Sequence, residues 1–454
     1  MVEPIQGQPS TAAPGEVTLE RKLGPLDAAA IVVSNVIGGG IFFVPVIVAQ
    51  MVPHPGWMLS VWLAGGALAF AGAMAYAELA AVRPHAGGEY VYLRDAYGPL
   101  AAFLTGWTSF VAGFSGAIAA SAIALADYVT RFVPGAANGK PAIAIAAIAI
   151  LTLIHVRGLG PGRLVQNLLA GLKVTAILLI IALGFAIGDG NAANLSIAAG
   201  AVTPVPWLLA LVPVMFSYSG WNAAAYVAEE VRNPTRNVPL ALGLGTLAVI
   251  ALYLGLNALY VFALPIGELG AVGGGRLMDT VAERLFGFAT GNLLAIFTIV
   301  SLAASISAMV LAGPRVYFAM ARDGIFVRAA GRVHPRFHTP ATAILAQAVW
   351  SSVLVLSGTL SQLVNYTGFA VVLFAGIAVS AIFPLRRRGV AGARPFSALG
   401  YPWAPAIFVV ASALMVGNAF WREPGPTGVG LGLILIGIPV YYAFRSGSAR
   451  YPQN

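Results

Sequence analysis

Two interruptions in otherwise apolar stretches carry the chemistry that this sequence offers. The first is Val36-Ile37-Gly38-Gly39-Gly40-Ile41-Phe42, and the second is Phe216-Ser217-Tyr218-Ser219-Gly220-Trp221. Each glycine in a helix interior costs about 1 kcal/mol relative to alanine, so three in succession unwind a helix rather than continue it. In hydrocarbon, backbone groups freed in this way survive only where they line a protein cavity or meet a ligand. The chemistry is therefore that of the backbone. Amides of Gly39, Gly40 and Ile41, at the start of a second half-helix, present a positive dipole end to a carboxylate. Carbonyls of Val36, Ile37 and Phe216, at the ends of first half-helices, accept from an ammonium. An amino acid zwitterion carries both groups a few ångströms apart. A pair of broken spans in corresponding halves of a membrane protein points to the substrate site of a carrier. Close helix packing, as at Gly184 with Gly188, is the other use of such small residues.

The elements that must position these groups are membrane helices. Hydrophobic residues make up 59% of the 454 residues and charged ones 9%. No soluble core needs so much apolar sequence, which makes this an all-α polytopic membrane protein. Hydropathy places twelve helices at 27–50, 57–82, 98–131, 141–156, 163–188, 205–230, 238–264, 288–322, 340–357, 361–385, 402–421 and 428–444. The organisation expected is an N-terminal segment over 1–26, a ten-helix core over 27–385, a loop over 386–401, helices 11 and 12 over 402–444 and a tail over 445–454. Residues 1–26 show no apolar stretch ahead of a small-residue cleavage site, so no cleavable signal is expected. With no cysteine there is no disulfide, no thiolate metal site and no disulfide-linked partner.

Every Lys and Arg falls at one side of this arrangement except Arg131, Lys140, Arg276, Arg284 and Arg422 opposite, and Lys173 within a span. That bias places both termini in the cytoplasm. It accounts for the net charge of +9 through topology and contact with anionic lipid, without nucleic acid. Gly38–Gly40 lies ~17–20 Å past Asp27 at 1.5 Å per residue, and Ser217–Gly220 a similar distance past Pro206 in a span that runs the opposite way. Both breaks sit near the midplane and are related by inversion. Two inverted five-helix repeats, helices 1–5 and 6–10, with helices 11 and 12 outside, are the expectation.

Lys173 lies ~15 Å past Arg163 in an apolar fifth helix, about half-way through a hydrocarbon core of ~30 Å. Its placement costs roughly 2.5–3.5 kcal/mol unless it faces the protein interior. Three roles are open to it: a fixed ammonium donating to carbonyls of helices 1 and 8, a substitute for a bound cation, or a proton carrier. Asn365 and Tyr366 interrupt the tenth helix, and Ser305 and Met309 lie one turn apart on the eighth. Glu78, Glu229 and Glu230, at inner helix ends near Arg residues, suit an ionic network that closes a cytoplasmic gate. Asn194-Leu195-Ser196 matches a glycosylation sequon by chance. No carboxylate is evident beside the breaks to meet a second positive charge.

These residues reach a known family. Ile37-Gly38-Gly39-Gly40-Ile41-Phe42 resembles the first-helix signature of the amino acid–polyamine–organocation transporters, and of their L-type amino acid transporter branch in particular. Phe216 to Asn222 with Glu229-Glu230-Val231-Arg232-Asn233-Pro234 is similar to the sixth helix and the loop beyond it. Tyr76-Ala77-Glu78-Leu79 with Gly87-Gly88-Glu89-Tyr90, Arg315 with Met320 to Gly324, and Gly400-Tyr401-Pro402-Trp403 resemble further family motifs, in order, from about residue 25 to 410. The resemblance implies a LeuT-type fold with helices 1 and 6 discontinuous. It implies an amino acid whose carboxylate is held at Gly39 and Gly40, whose ammonium meets the carbonyls of Val36, Phe216 and Ser219, and whose pocket is capped by Phe216 as outer gate. Gly38, Ser217 and Asn365 would line that pocket. Many members have Ser where Gly39 stands. Val165-Gln166-Asn167 through Lys173 resembles the fifth helix of sodium-independent members. Animal L-type proteins work with a disulfide-linked single-span partner, a linkage that the missing cysteines argue against here.

Enzymatic signatures are lacking. His54, His85, His155, His334 and His338 show no metal spacing, no nucleophile elbow is present, and Gly135 to Lys140 falls one residue short of a P-loop. The sequence thus reads as a cofactor-free carrier in a bacterial-type cell membrane, moving neutral L-amino acids by sodium-independent exchange. A proton-coupled amino acid or amine symporter is the alternative, and a channel or sensor a more distant one.

Overall fold

The computed structural model describes residues 17–133, 136–196, 203–273, 276–287, 291–357, 360–389, 395–422 and 424–449, without the side chains of 136–137, 360–367, 369 and 446–449. The described residues are helical apart from turns and one isolated bridge between Leu23 and Val231. Among the described residues, eight helices are long and apolar enough to cross a membrane. Four shorter apolar ones, Pro25–Val36, Lys140–Val156, Pro204–Tyr218 and Ala341–Ser357, fall on the remaining predicted spans. Counting along the chain, these are spans 1 to 12, as the hydropathy predicts.

Proline sets many of the starts. Pro25, Pro55, Pro99, Pro141, Pro204 and Pro234 occupy first turns, where the missing N–H has no intrahelical acceptor to lose. The same rule explains one difference from expectation. Span 12 begins at Pro424, so Pro424-Gly425-Pro426 is a first turn rather than loop punctuation. Three short helices had no clear hydropathy signal: Glu89–Tyr97 between spans 2 and 3, and Ile266–Ala271 with Leu277–Phe286 between spans 7 and 8. The first of these is bounded by Gly88 at φ 52° and Gly98 at φ 94°, backbone that only glycine adopts without strain.

Span 2 (Pro55–Val82) packs against span 7 (Pro234–Ala263), and span 3 (Pro99–Val129) against span 8 (Gly291–Arg322). Each of these spans therefore pairs with its counterpart five helices later, as two interlocked five-helix repeats require. Span 1 lies against spans 7 and 8 and against span 5 (Leu159–Ile187), while spans 11 and 12 flank span 10.

At the end that carries most of the Arg and Lys, ion pairs tie the spans together. Glu230 and Arg315 form a fully buried bidentate pair, 2.8 Å at each contact. Glu78 accepts from Arg386 through both oxygens and from the amide of Ala398, and the Arg386 guanidinium lies 3.5 Å above the Tyr401 ring. Glu229 pairs with Arg322, and Asp323 with Arg94. Leu23 joins this end through backbone bonds with Glu230 and Arg232. Burial decides what each pair contributes. Glu230→Gln leaves Arg315 as an uncompensated buried charge, a loss of about 3–5 kcal/mol. Arg322→Gln, at a half-exposed pair, costs at most ~1 kcal/mol. Thermal denaturation of the detergent-purified variants checks this; equal losses would contradict the role of burial.

Candidate functional site

Both predicted breaks are present. In span 1 the helix Pro25–Val36 ends, a 3-10 turn spans Gly40–Phe42, and a second helix runs Val44–Met51. In span 6 the helix Pro204–Tyr218 gives way at Ser219, Gly220 turns at φ 101°, and a short helix follows at Ala223–Tyr226. The two breaks touch. A Cβ on Gly40 would lie 2.7 Å from Ser217 Oγ and 3.1 Å from its Cα, and one on Gly220 would strike Asn35 at 2.7 Å. Gly38 and Gly39 have ordinary space around them. The three glycines thus do different work: all lower helix stability, and Gly40 alone is required by contact.

Most of the freed backbone groups are satisfied by the protein. The Lys173 ammonium is completely buried and donates to the carbonyls of Ser34 at 3.2 Å and Ile37 at 2.5 Å, and to Ser305 Oγ at 3.0 Å. The Ser305 hydroxyl lies 3.0 Å from the same two carbonyls. The Tyr253 hydroxyl from span 7 lies 3.0 Å from the carbonyls of both Val36 and Ser217, so one proton bridges the two broken helices. Asn35 Nδ2 donates to the Gly220 carbonyl at 3.4 Å. What remains is a short inventory. Among the described residues the amides of Gly39, Gly40 and Ile41 have no acceptor, and the Ser219 carbonyl has no donor. Val36 and Ile37 carbonyls already accept two bonds each, whereas Phe216 accepts one, from Ser219. Of the carbonyls named above, Phe216 and Ser219 keep the most capacity for an ammonium, and the Gly38 carbonyl on the cavity lining also has no donor among the described residues.

A cavity of about 1100 Å³ lies against the two breaks. Val36, Gly38, Gly39, Gly40, Phe216, Ser217 and Ser219 all line it, and so do Ser305 and Met309. Ile37 and Ile41 do not; their side chains are fully buried, and they contribute through the backbone. The Phe216 ring lines the cavity and leans on Phe43, with centroids 6.4 Å apart. Lys173 stands behind the first-helix break, outside the cavity lining. The side chains of Asn365 and Tyr366 lie outside the described residues. Towards the end away from the basic loops the cavity reaches Asp127, Tyr128, Arg276 and Asp279.

A family model described as amino acid permease matches residues 23–444. The chain belongs to this family. Among known proteins, the permease is similar to the serine/threonine exchanger SteT of Bacillus subtilis (strain 168), 30% identical over 436 residues that cover 95% of this chain and 98% of the relative. The cystine/glutamate transporter of Homo sapiens is 30% identical over 451 residues, 97% of this chain and 88% of its own. The human large neutral amino acids transporter small subunit 2 is 29% identical over 445 residues, 94% and 81% of the two chains. The permease is thus a multi-pass membrane transporter and not an enzyme, as the resemblance of its motifs implies.

Three functional features of this permease lay beyond sequence reasoning. Tyr253 bridges the breaks from span 7, where its hydroxyl in an apolar run was the only signal. A π-helical turn at Ser109–Gly113 brings Ser109 to the cavity, and the Ser109 carbonyl accepts both from the Phe114 amide and from the Tyr317 hydroxyl, the latter at 3.1 Å. Glu89 lines the cavity and is buried beside Asn222, just past the sixth-helix break. This overturns the expectation that no carboxylate stands near the breaks: sequence distance hid what the fold brings together. The glycine contacts are directly testable. Gly40→Ala should cost about 1–3 kcal/mol by overpacking against Ser217, while Gly39→Ala stays near neutral. The measurement is thermal stability of the purified variants; equal losses would contradict the contact.

Proposed function

We propose that this chain is a sodium-independent exchanger of neutral L-amino acids, working by alternating access with its basic end and both termini in the cytoplasm. The observation that carries the reading is the set of unsatisfied backbone groups at the two breaks, with Gly39, Gly40, Phe216 and Ser219 on the cavity wall. Three consecutive amides, Gly39 to Ile41, match a carboxylate, and the Phe216 and Ser219 carbonyls match an ammonium. Val36, Ile37, Gly38 and Ser217 shape this site, and Asn365 adds a polar group from the tenth span. Phe216, at the break and on the cavity wall, serves as the outer gate.

Lys173 supports sodium independence. Its ammonium binds two first-helix carbonyls and an eighth-helix hydroxyl, the kind of oxygen set that otherwise holds a cation. A relative named as an exchanger, SteT, supports exchange rather than net uptake. The ion pairs at the basic end are the inner closure, and the cavity reaches the opposite, outer end, so the arrangement faces outward. Exchange needs no second chain joined by a disulfide, since this one has no cysteine.

The test is uptake of labelled L-amino acids into liposomes carrying the purified protein, without sodium, with and without amino acid inside. Uptake that requires internal amino acid is expected; equal uptake into empty liposomes tells against exchange. Lys173→Ala leaves the single Ser305 hydroxyl proton to serve both the Ser34 and Ile37 carbonyls and should slow exchange more than about tenfold, in the absence of sodium. Unimpaired exchange by that variant would remove Lys173 from the mechanism.

A further inference from the structure

One buried acid on the cavity wall is used neither by the substrate groups nor by the ion pairs of the inner closure. Glu89 opens the short helix Glu89–Tyr97, lines the cavity and is 8% exposed. Among the described residues no Lys, Arg or His pairs with it. Tyr76 of span 2 donates to it at 2.9 Å, Asn222 of span 6 at 3.3 Å and Thr105 of span 3 at 3.4 Å, and the Tyr226 hydroxyl also bonds it. The other titratable groups that feel it are Tyr92 on its own helix and Tyr317 of span 8. Every one of these phenols is neutral below about pH 10. The carboxyl is therefore buried without a countercharge.

Its position ties it to the closure. The segment before Glu89 grips the inner part of span 6: the Gly87 amide donates to the Tyr226 carbonyl at 3.1 Å and the Ala86 amide to Glu229 at 3.0 Å. The segment after it holds span 8, with the Tyr90 hydroxyl and Arg94 each 2.6 Å from Asp323. An opening of this end that lifted the clasp would take Glu89 from protein to water.

We propose that Glu89 is a proton-binding site on the cavity wall, protonated when the inner side is closed and ionised when it opens. The proposal rests on the exchanger reading for its place in the cycle. The sign follows from competing effects. Donors from Tyr76, Tyr226 and Thr105 favour the carboxylate, but burial outweighs them and raises the Glu89 carboxyl above the ordinary carboxylate range. Exposed to water, the group returns towards ~4.3. The state with the higher value is stabilised by proton binding, so acid favours the closed inner side and rising pH favours opening. Lys173 is less suited to this role, because it stands outside the cavity lining and is held by three acceptors.

The experiment measures amino acid exchange in liposomes at equal internal and external pH, from about pH 8 to about pH 5, a range above the free glutamate value. Wild type should slow severalfold as pH falls, while Glu89→Gln, permanently uncharged, should be slow and flat. Glu89→Asp, which keeps the charge, should restore a pH-dependent profile. A second readout is independent of transport. A single cysteine at Ala86, buried in the clasp of a chain with no other cysteine, should react with a thiol reagent severalfold more slowly in the Glu89→Gln background at about pH 7. A flat wild-type profile, or Glu89→Gln following the wild-type profile, overturns the proposal; so do equal labelling rates. If wild type exchanges nothing at any pH, the exchanger reading fails, and the labelling comparison still decides the fate of the proton site.

Discussion

Backbone groups released inside a bilayer have no water to turn to, so each must find a protein partner or wait for a ligand. The two breaks in spans 1 and 6 release many such groups close together, and much of the rest of the protein is arranged around satisfying them. Lys173 and Ser305 take the carbonyls at the end of the first half-helix. Tyr253 takes one carbonyl from each break, and Asn35 takes Gly220. A charged residue in mid-membrane, a buried phenol and a tight glycine contact are separate features in sequence. In space they answer one constraint. At the first break they leave three amides unsatisfied, with a few carbonyl lone pairs nearby, a pattern complementary to a zwitterion.

That constraint also relates the two ends of the molecule. Carbonyls held by spans 5, 7 and 8 fix the broken helices at the midplane. The basic end is held differently, by ion pairs together with a few backbone bonds such as those of Leu23 and Gly87. The pairs at the basic end differ in burial, from the enclosed Glu230–Arg315 to the half-exposed Glu229–Arg322, so they differ in how readily they yield. A carrier needs such a gradient, because a closure made wholly of buried pairs would not open.

The parts legible in sequence were those with a strong local signature. Apolar runs gave all twelve spans, and the composition of residues 36–42 and 216–221 gave both breaks to within a residue or two. Lys173 stood out because a lysine at mid-span has few affordable environments, and its ammonium meets two first-helix carbonyls and, on span 8, a hydroxyl in place of the expected carbonyl. Glu78, Glu229 and Glu230 stand among Arg residues as their helix-end positions suggested. Less legible were features that depend on long-range approach. Nothing local marks Tyr253 as a bridge, or Glu89 as a cavity residue, since their partners lie tens to hundreds of residues away. The π-helical turn at Ser109–Gly113 has no marked sequence pattern either, and Gly40 differs from Gly38 and Gly39 only through Ser217.

The central claim is that free amides at the first-helix break hold a substrate carboxylate. Binding of a labelled L-amino acid to the purified protein, competed by the unlabelled amino acid and by its carboxamide, tests it most directly. The account predicts that the amino acid displaces the label and the carboxamide, lacking the anion, displaces it at least about a hundredfold less well, as expected for losing charge-assisted bonds to several amides. Equal competition by the carboxamide would contradict it.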